Sequence, residues 1–147
     1  MGEAVIENEG VAKHIMTVQF FIPLKSPPNK THQMKKWTVR NGKPVSYEPS
    51  EVEDIRMMFM ARFAPYVPDK PMQGPISLTT KWVYPANKRH PVDTWKITRP
   101  DTDNLVKLPK DVLTVLGFWK DDAQVACEMT YKFYGSIPGL YIQISEI

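Results

Sequence analysis

Hydrophobic and polar residues alternate along four segments of the chain, which is the pattern of β-strands with one buried face. These segments are residues 15–22, 76–84, 123–134 and 139–145. In the third segment, the apolar odd-numbered residues from Val125 to Phe133 are predicted to face the core. Only the linker 135–138 separates the last two segments, so we predict that they pair as a hairpin.

Two other segments repeat apolar residues with the 3.6-residue period of a helix. The first covers residues 51–64 and begins with a capping-box pattern. The second begins after Pro100 and ends at Gly117, a residue type that favours the left-handed conformation of helix ends. Pro109 lies inside this second helix, where it is expected to remove one backbone hydrogen bond.

Asn41-Gly42 predicts a further hairpin between residues 37–40 and 44–47. Together these elements predict an α+β fold, a single domain with a mixed sheet of four or five strands and two main helices on one sheet face. The first 14 residues are polar. We therefore predict a flexible N-terminal head over residues 1–14 and one folded domain over residues 15–147.

The composition is typical of one globular domain. The chain has 147 residues, of which 42% are hydrophobic and 24% are charged. It shows no apolar run long enough to cross a membrane and no secretory signal, so a cytoplasmic protein is expected. The single cysteine, Cys127, excludes an internal disulfide and a multi-cysteine zinc site. Its position on a strand predicts a buried and inert thiol.

Positive charge is concentrated in two segments. Residues 23–47 carry six basic residues and no acidic one, and residues 77–110 carry seven basic residues against three Asp. This distribution is typical of a face that binds a polyanion. A solvated Lys-rich loop is the alternative interpretation. Trp37 and Trp95 lie in polar loop contexts and are candidates for base stacking, whereas Trp82 and Trp119 suit a core or an interface.

Acidic residues cluster in two short stretches on either side of the second helix. They are Asp101, Asp103 and Asn104 before it, and Asp121 and Asp122 after it. One Asp is enough to cap a helix, whereas Mg²⁺ takes oxygen ligands from a few carboxylates. Capping and metal binding both account for this pattern.

Lys107 lies one helical turn after Asp103, on the same face of the predicted helix. The two residues would form an ordinary i,i+4 ion pair. Alternatively, Lys107 would offset the negative charge that develops on a phosphate under attack. Carboxylates beside a lysine are the groups that metal-dependent phosphodiester hydrolysis requires.

Two linked motifs carry a resemblance to a known family. The first is RPDTDNLVK, residues 99–107, and the second is GFWKDDAQV, residues 117–125. They closely resemble the RusA family of Holliday-junction resolvases, which shows R/K-x-D-x-D-N-x-x-K, a helix and then G-x-x-x-D-D-x-Q-[VI] at the same spacing. Thr102, Pro109 and the long basic loop 85–98 depart from the compact members of that family.

The resemblance implies a Mg²⁺-dependent, homodimeric endonuclease that cuts four-way DNA junctions by paired symmetric nicks in recombination and repair. Mn²⁺ is expected to substitute for Mg²⁺. The resemblance also implies catalytic roles for Asp101, Asp103, Asp122 and Lys107. The same three aspartates are the implied metal ligands, with Asp121 ranked below them. Neither an organic cofactor nor a membrane partner is expected.

Branched DNA is the expected partner, and basic residues are expected to contact its phosphates. The candidates are Arg99, Lys96, Lys88, Arg89, Lys30, Lys35 and Lys36. A catalytically idle branched-DNA-binding module of the same fold is the first alternative function. The second is a metal-dependent enzyme that acts on a phosphorylated small molecule, although the chain has no Gly-rich phosphate loop.

The predicted second helix separates the two acidic stretches. From Asp103 to Leu116 it would extend about 20 Å, so Asp122 begins at the far end from Asp101. The six residues that follow could return about 20 Å at most. Either this segment doubles straight back within one subunit, or an antiparallel dimer brings Asp122 of one subunit near Asp101 of the other.

Overall fold

The computed structural model describes residues 2–6, 12–28, 36–47 and 50–147. In these residues the elements are β1 (Gly2–Ile6), β2 (Ala12–Pro23), β3 (Lys36–Arg40), β4 (Lys43–Tyr47), α1 (Ser50–Phe63), β5 (Ile76–Pro85), α2 (Thr102–Leu116), β6 (Val125–Gly135) and β7 (Gly139–Glu146). Short 3₁₀ turns follow α1 at Ala64–Tyr66 and precede β6 at Asp122–Gln124. The predicted α+β class, with a mixed sheet and two helices, is confirmed.

Four strands form a mixed sheet in the order β2-β7-β5-β6, and β1 extends this sheet beside β2. β5 and β6 run parallel, whereas β7 runs antiparallel to both β5 and β2. Because α2 connects the two parallel strands, β5, α2 and β6 form a βαβ unit. In the middle of β5, Trp82 lies between Lys132 of β6 and Leu140 of β7.

The predicted hairpin between the last two strands is wrong. β6 and β7 pair with β5 from opposite sides. The linker 136–138 carries the chain over the end of β5, since Gly135 is opposite Pro85 and Gly139 is opposite Val83. The even-numbered side chains of β5 are buried along its whole length. A strand so deeply buried needs a neighbour on each side to satisfy its backbone groups.

Both helices cover one face of the sheet, as predicted. The ring of Phe59 in α1 meets Trp82 edge-on, with the centroids 6.3 Å apart. Leu105 and Leu108 of α2 line the same small cavity as these two rings. The hydrophobic core therefore lies between the helices and this face. In the described residues, no helix is long and apolar enough to cross a membrane.

The opposite face of the sheet is open, which corrects the prediction for β6. Cys127 and Met129 are exposed, although the alternation predicted that they face the core. In the parallel pairing, the even-numbered residues of β6 share the helix-covered face with Trp82, which is opposite Lys132. Because β6 is the last strand of the sheet, Cys127 and Met129 have little to pack against on the open face. The period of two is confirmed, and Val125, which lies before a register shift in the pairing with β5, packs against the core as predicted. The predicted inward face is wrong for Cys127 and Met129.

Predictions that depend on short-range geometry are confirmed. Asn41 and Gly42 have φ angles of 52° and 74°, as the two-residue turn between β3 and β4 requires. Gly117 ends α2 with a φ of 89°. Within the predicted N-terminal head, residues 2–6 pair with residues 12–16, and the flexibility of this head stays a prediction.

The crossing over β5 explains why position 135 is a glycine. A Cβ atom at Gly135 would lie 2.5 Å from Cγ1 of Val83, so we expect Gly135→Ala to destabilise the fold by about 1–3 kcal/mol. Adding Val83→Ala removes the clashing methyl group, so the double variant should be more stable than the two separate losses predict. Chemical denaturation of the four proteins measures this coupling, and strictly additive losses would contradict the clash.

Candidate active site

Asp101 precedes α2, and its carboxylate is not used to cap the helix. Its backbone oxygen accepts hydrogen bonds from the N–H groups of Asn104 and Leu105, both at 3.1 Å. Its side chain makes no capping hydrogen bond. Like the side chain of Asp103, it is exposed. Two carboxylates therefore lie at the positive end of the helix dipole, and capping does not account for Asp101.

Lys132 of β6 holds the backbone that leads into Asp101. Its Nζ donates hydrogen bonds to the carbonyl oxygens of Thr98 and Pro100, at 2.7 and 2.8 Å. Burial, reinforced by the charge of Lys96, lowers the pKa of Lys132, and the Asp101 carboxylate opposes this shift. Asp101 therefore lies within electrostatic range of an ammonium group that two hydrogen bonds hold in place.

Lys96 supports the same loop from a second direction. Its N–H donates to the carbonyl oxygen of Lys132 at 3.0 Å, and its Nζ donates to Oγ1 of Thr98 at 2.7 Å. The ammonium also lies 4.7 Å from the ring centroid of Tyr84 and 5.7 Å from that of Tyr134. Cation–π attraction of this kind restrains the side chain, so Lys96 shapes the loop.

The second acidic stretch forms a tight turn before β6. Oδ1 of Asp121 accepts a hydrogen bond from the N–H of Ala123 at 2.9 Å. In return, Oε1 of Gln124 accepts from the N–H groups of Lys120 and Asp121, at 3.0 and 3.1 Å. This capping box uses the carboxylate of Asp121, whose role as a metal ligand stays a prediction. Asp122 is exposed.

Gln124 also fixes the position of this turn in the fold. Its Nε2 donates to the carbonyl oxygens of Met72 and Gly74, at 3.1 and 3.0 Å. These residues directly precede β5, so the turn lies at the amino end of that strand. The loop before Asp101 is held by Lys132, which is opposite Trp82 and further along the same strand. The two acidic stretches therefore lie on the order of 20 Å apart along the sheet.

The length of α2 gives the same separation. The helix has 15 residues and continues through Pro109, so it extends about 20 Å. In its middle, Lys110 pairs with Glu128 at 3.5 Å, which shows that α2 runs back along β6. Lys107, one turn after Asp103, is half-buried at the end that carries Asp101.

The carboxylate oxygens of these aspartates suit a hard divalent cation, but the aspartates of one chain are not close together. In the described part of the chain, no group of three or more His, Cys, Asp or Glu side chains is placed to hold a metal ion. Asp101 and Asp103 lie at one end of α2, and Asp122 lies beyond the other end. Their joint role as metal ligands stays a prediction.

The predicted DNA-binding residues fall into three groups. Arg99, Lys88 and Arg89 are exposed in the loop before α2, and Lys96 is half-buried there. Lys30 and Lys35 lie outside the described residues. The side chains of Lys36 and Trp37 also lie outside the described part of the structure, which gives only their backbone, in β3.

Trp95 is the exposed aromatic residue nearest to these basic side chains in the sequence. It is 66% exposed, and it stacks on Tyr131 with the centroids 6.2 Å apart and the ring planes at 15°. Together with Lys81, the two rings line a groove of about 300 Å³ on the open face of the sheet. Trp82 and Trp119 are buried, as the sequence predicts for core residues.

Sequence reasoning missed the anchoring roles of Lys132 and Gln124. Gln124 is part of the second motif, so the sequence did mark it as a residue with a specific role. Lys132 was marked only by its even-numbered position on β6. That position has meaning only once the parallel pairing with β5 is known.

Comparison with known proteins identifies the family. A family model described as Endodeoxyribonuclease RusA matches residues 26–145. The uncharacterized protein YqaN of Bacillus subtilis (strain 168) is 29% identical over 121 residues, which span 75% of this chain and 84% of that relative. The crossover junction endodeoxyribonuclease rusA of Lactococcus phage r1t is 30% identical over 73 residues, which span 50% of this chain and 56% of that relative.

The chain therefore belongs to the RusA endodeoxyribonuclease family. Membership supports a nuclease and suggests Holliday-junction resolvase activity. It also implies that branched DNA is bound, and it suggests a requirement for a divalent metal ion.

Removing the Lys132 ammonium should loosen the loop that carries Asp101. Lys132→Met leaves the carbonyl oxygens of Thr98 and Pro100 without this donor. We expect faster amide hydrogen exchange in residues 97–103. DNA cleavage is expected to fall about 10- to 100-fold, which is the usual cost of losing a residue that orients ligands.

The matched control is Lys70→Met, at an exposed lysine between α1 and β5. It removes the same charge without touching the loop, so both exchange and cleavage should stay at the wild-type level. Unchanged exchange in residues 97–103 of Lys132→Met would contradict the anchoring role.

Proposed function

We propose that the protein is a Mg²⁺-dependent, structure-specific DNA endonuclease of the cytoplasm. In this proposal it resolves four-way junctions by paired symmetric nicks, as a homodimer, in DNA recombination and repair. The observation that carries the proposal is the structure of the loop before α2. There the Lys132 ammonium anchors the backbone beside Asp101, whose exposed carboxylate makes no capping hydrogen bond to the helix. Membership of the RusA family and the name of the Lactococcus phage relative support the same reaction.

Asp101, Asp103 and Asp122 are proposed to bind the divalent ion, since Mg²⁺ prefers oxygen ligands. Mn²⁺ is proposed to substitute. Asp121 is a weaker candidate because its carboxylate already caps a turn. Lys107 is proposed to offset the negative charge that develops on the scissile phosphate.

Arg99, Lys88 and Arg89 are proposed to contact DNA phosphates, because they are exposed in the loop that leads to Asp101. Lys96 contributes mainly by holding that loop. Lys30, Lys35 and Lys36 of the first basic segment, residues 23–47, are also proposed to contact phosphates, because this segment is strongly positive. Binding through these residues would weaken steeply as the salt concentration rises.

A catalytically idle branched-DNA-binding module is the second candidate function. The separation of the acidic stretches within one chain favours it, because no metal-binding group of three forms among the described residues. The presence of every acidic residue of the two motifs favours the enzyme instead.

Cleavage of a labelled four-way junction, beside the matching linear duplex, separates the two functions. We expect paired symmetric nicks in the junction alone, in Mg²⁺ and not in EDTA. Asp103→Asn should lower the rate at least about 1000-fold without abolishing junction binding. Asp69→Asn, at an exposed aspartate outside both motifs, should cleave like the wild type. Tight junction binding without cleavage in any divalent metal would contradict the nuclease and favour the idle module.

A further inference from the structure

A groove on the open face of the sheet carries aromatic rings that the proposed chemistry does not use. Its volume is about 300 Å³, and its lining includes Lys81, Asp93, Trp95, Tyr131 and Phe133. We call it the Trp95 groove. None of these five residues belongs to the buried core between the helices and the sheet, so packing of the core does not account for them.

Backbone hydrogen bonds hold one wall of the groove in place. Residues 93–96 lie along the end of β6, where two backbone hydrogen bonds join them to Tyr134, at 2.8 and 2.9 Å. In the same pairing, Trp95 is opposite Phe133 in an antiparallel bridge. The groove is therefore formed before a ligand arrives, and a preformed site binds with a smaller loss of conformational entropy.

Trp95 offers a wide, flat surface to a ligand. It is 66% exposed, although one side of its ring stacks on Tyr131 with the centroids 6.2 Å apart. A base does not fit between these two rings, because two stacked contacts need at least about 7 Å. A base would instead lie on the outer side of Trp95 and extend the stack, as bases do on aromatic side chains of proteins that bind single strands.

The charges in the groove favour a nucleotide whose base enters while its phosphate stays outside. Nζ of Lys81 lies 5.6 Å from the ring centroid of Tyr131 and 5.3 Å from that of Tyr141. This ammonium is available to a phosphate that follows the base. Asp93 lines the same groove, and its carboxylate would repel a phosphate placed inside it.

The Trp95 groove and the candidate active site share one loop. Trp95 precedes Asp101 by six residues, so the two lie within about 20 Å of each other. This distance corresponds to roughly six steps along one strand of a duplex, at about 3.4 Å each. DNA that is engaged at Asp101 can therefore reach Trp95.

We propose that the Trp95 groove is a stacking site for one unpaired DNA base near the branch point. The inference rests on the proposed function and deepens it, because it names a feature of branched DNA that the protein recognises. In a linear duplex every base is paired and stacked, and removing one from the stack is costly, whereas a base that is already unpaired costs least. The groove therefore favours branched DNA over linear DNA.

A fluorescent base tests the stacking directly. The probe is a five-nucleotide thymidine oligomer with 2-aminopurine at its centre, mixed with the full-length protein in EDTA. We expect the wild type to quench the 2-aminopurine fluorescence. Trp95→Ala should abolish the quenching and weaken binding of the probe by about 5- to 150-fold, the range found for loss of one stacked base. Trp95→Phe keeps an aromatic face, so it should retain most of both effects.

The matched control is Met57→Ala, at a comparably exposed side chain of α1, 64% exposed, on the helix-covered side of the sheet. It should quench and bind like the wild type. Unchanged quenching in Trp95→Ala would overturn the proposal. A Trp95→Ala protein with unchanged affinity for the probe but a lower mass in sedimentation would also overturn it, because a second copy of the chain would then cover the groove.

The selectivity of the groove is measured with two larger DNAs in EDTA. We expect Trp95→Ala to lose affinity for a four-way junction while its affinity for the matching linear duplex stays at the wild-type level. An equal loss for both DNAs would contradict recognition of an unpaired base.

These experiments separate failure of this inference from failure of the proposed function, since none of them needs a metal ion or cleavage. Quenching that depends on Trp95, in a protein that never cleaves junctions, would count against the nuclease alone. Junction cleavage by a protein that does not quench the probe would count against the stacking site alone.

Discussion

The length of α2 is the constraint on which the arrangement of the candidate site depends. Its 15 residues separate the two halves of the acidic motif by about 20 Å. The parallel pairing of β5 and β6 maintains this separation, because α2 must return along the sheet before β6 can begin. A chain built in this way presents Asp101 and Asp122 at opposite ends. In the proposed homodimer, a second copy related by a two-fold axis would provide the missing half of each site.

The basic residues near the acidic motif have different roles. The ammonium group of Lys132 donates to backbone carbonyl oxygens, and that of Lys96 donates to a hydroxyl and lies over aromatic rings. These two lysines therefore determine the shape of the loop. Arg99, Lys88 and Arg89 are exposed and are free to follow a phosphate backbone. Charge counted along the sequence does not separate these groups. The change in loop dynamics expected on loss of Lys132 does separate them, because a residue that only contacts phosphate would not alter exchange in the free protein.

Most of the helices and strands were predictable from the sequence because they depend on interactions between residues close together in the chain. The period of the apolar residues identified both helices and the main strands, and Gly117 and Asn41-Gly42 identified a helix end and a turn. Strand order was not predictable in this way, since pairing across the sheet is non-local. The error for Cys127 has the same origin, because a period of two separates two faces without indicating which one is covered. The role of Lys132 depends on that choice of face and was missed for the same reason.

If Asp101, Asp103 and Asp122 bind one metal ion, as proposed, their separation within one chain requires carboxylates from two chains in each site. Mixing subunits that carry Asp101→Asn with subunits that carry Asp122→Asn tests it most directly, since each variant alone should be inactive. In a mixed dimer, one site would receive both substitutions and the other would keep both native carboxylates. We expect the mixture to regain junction cleavage, with single nicks in place of paired ones. If mixed dimers form, as measured by mass, and cleavage stays absent, both carboxylates of a site belong to the same chain and a site shared between chains is excluded.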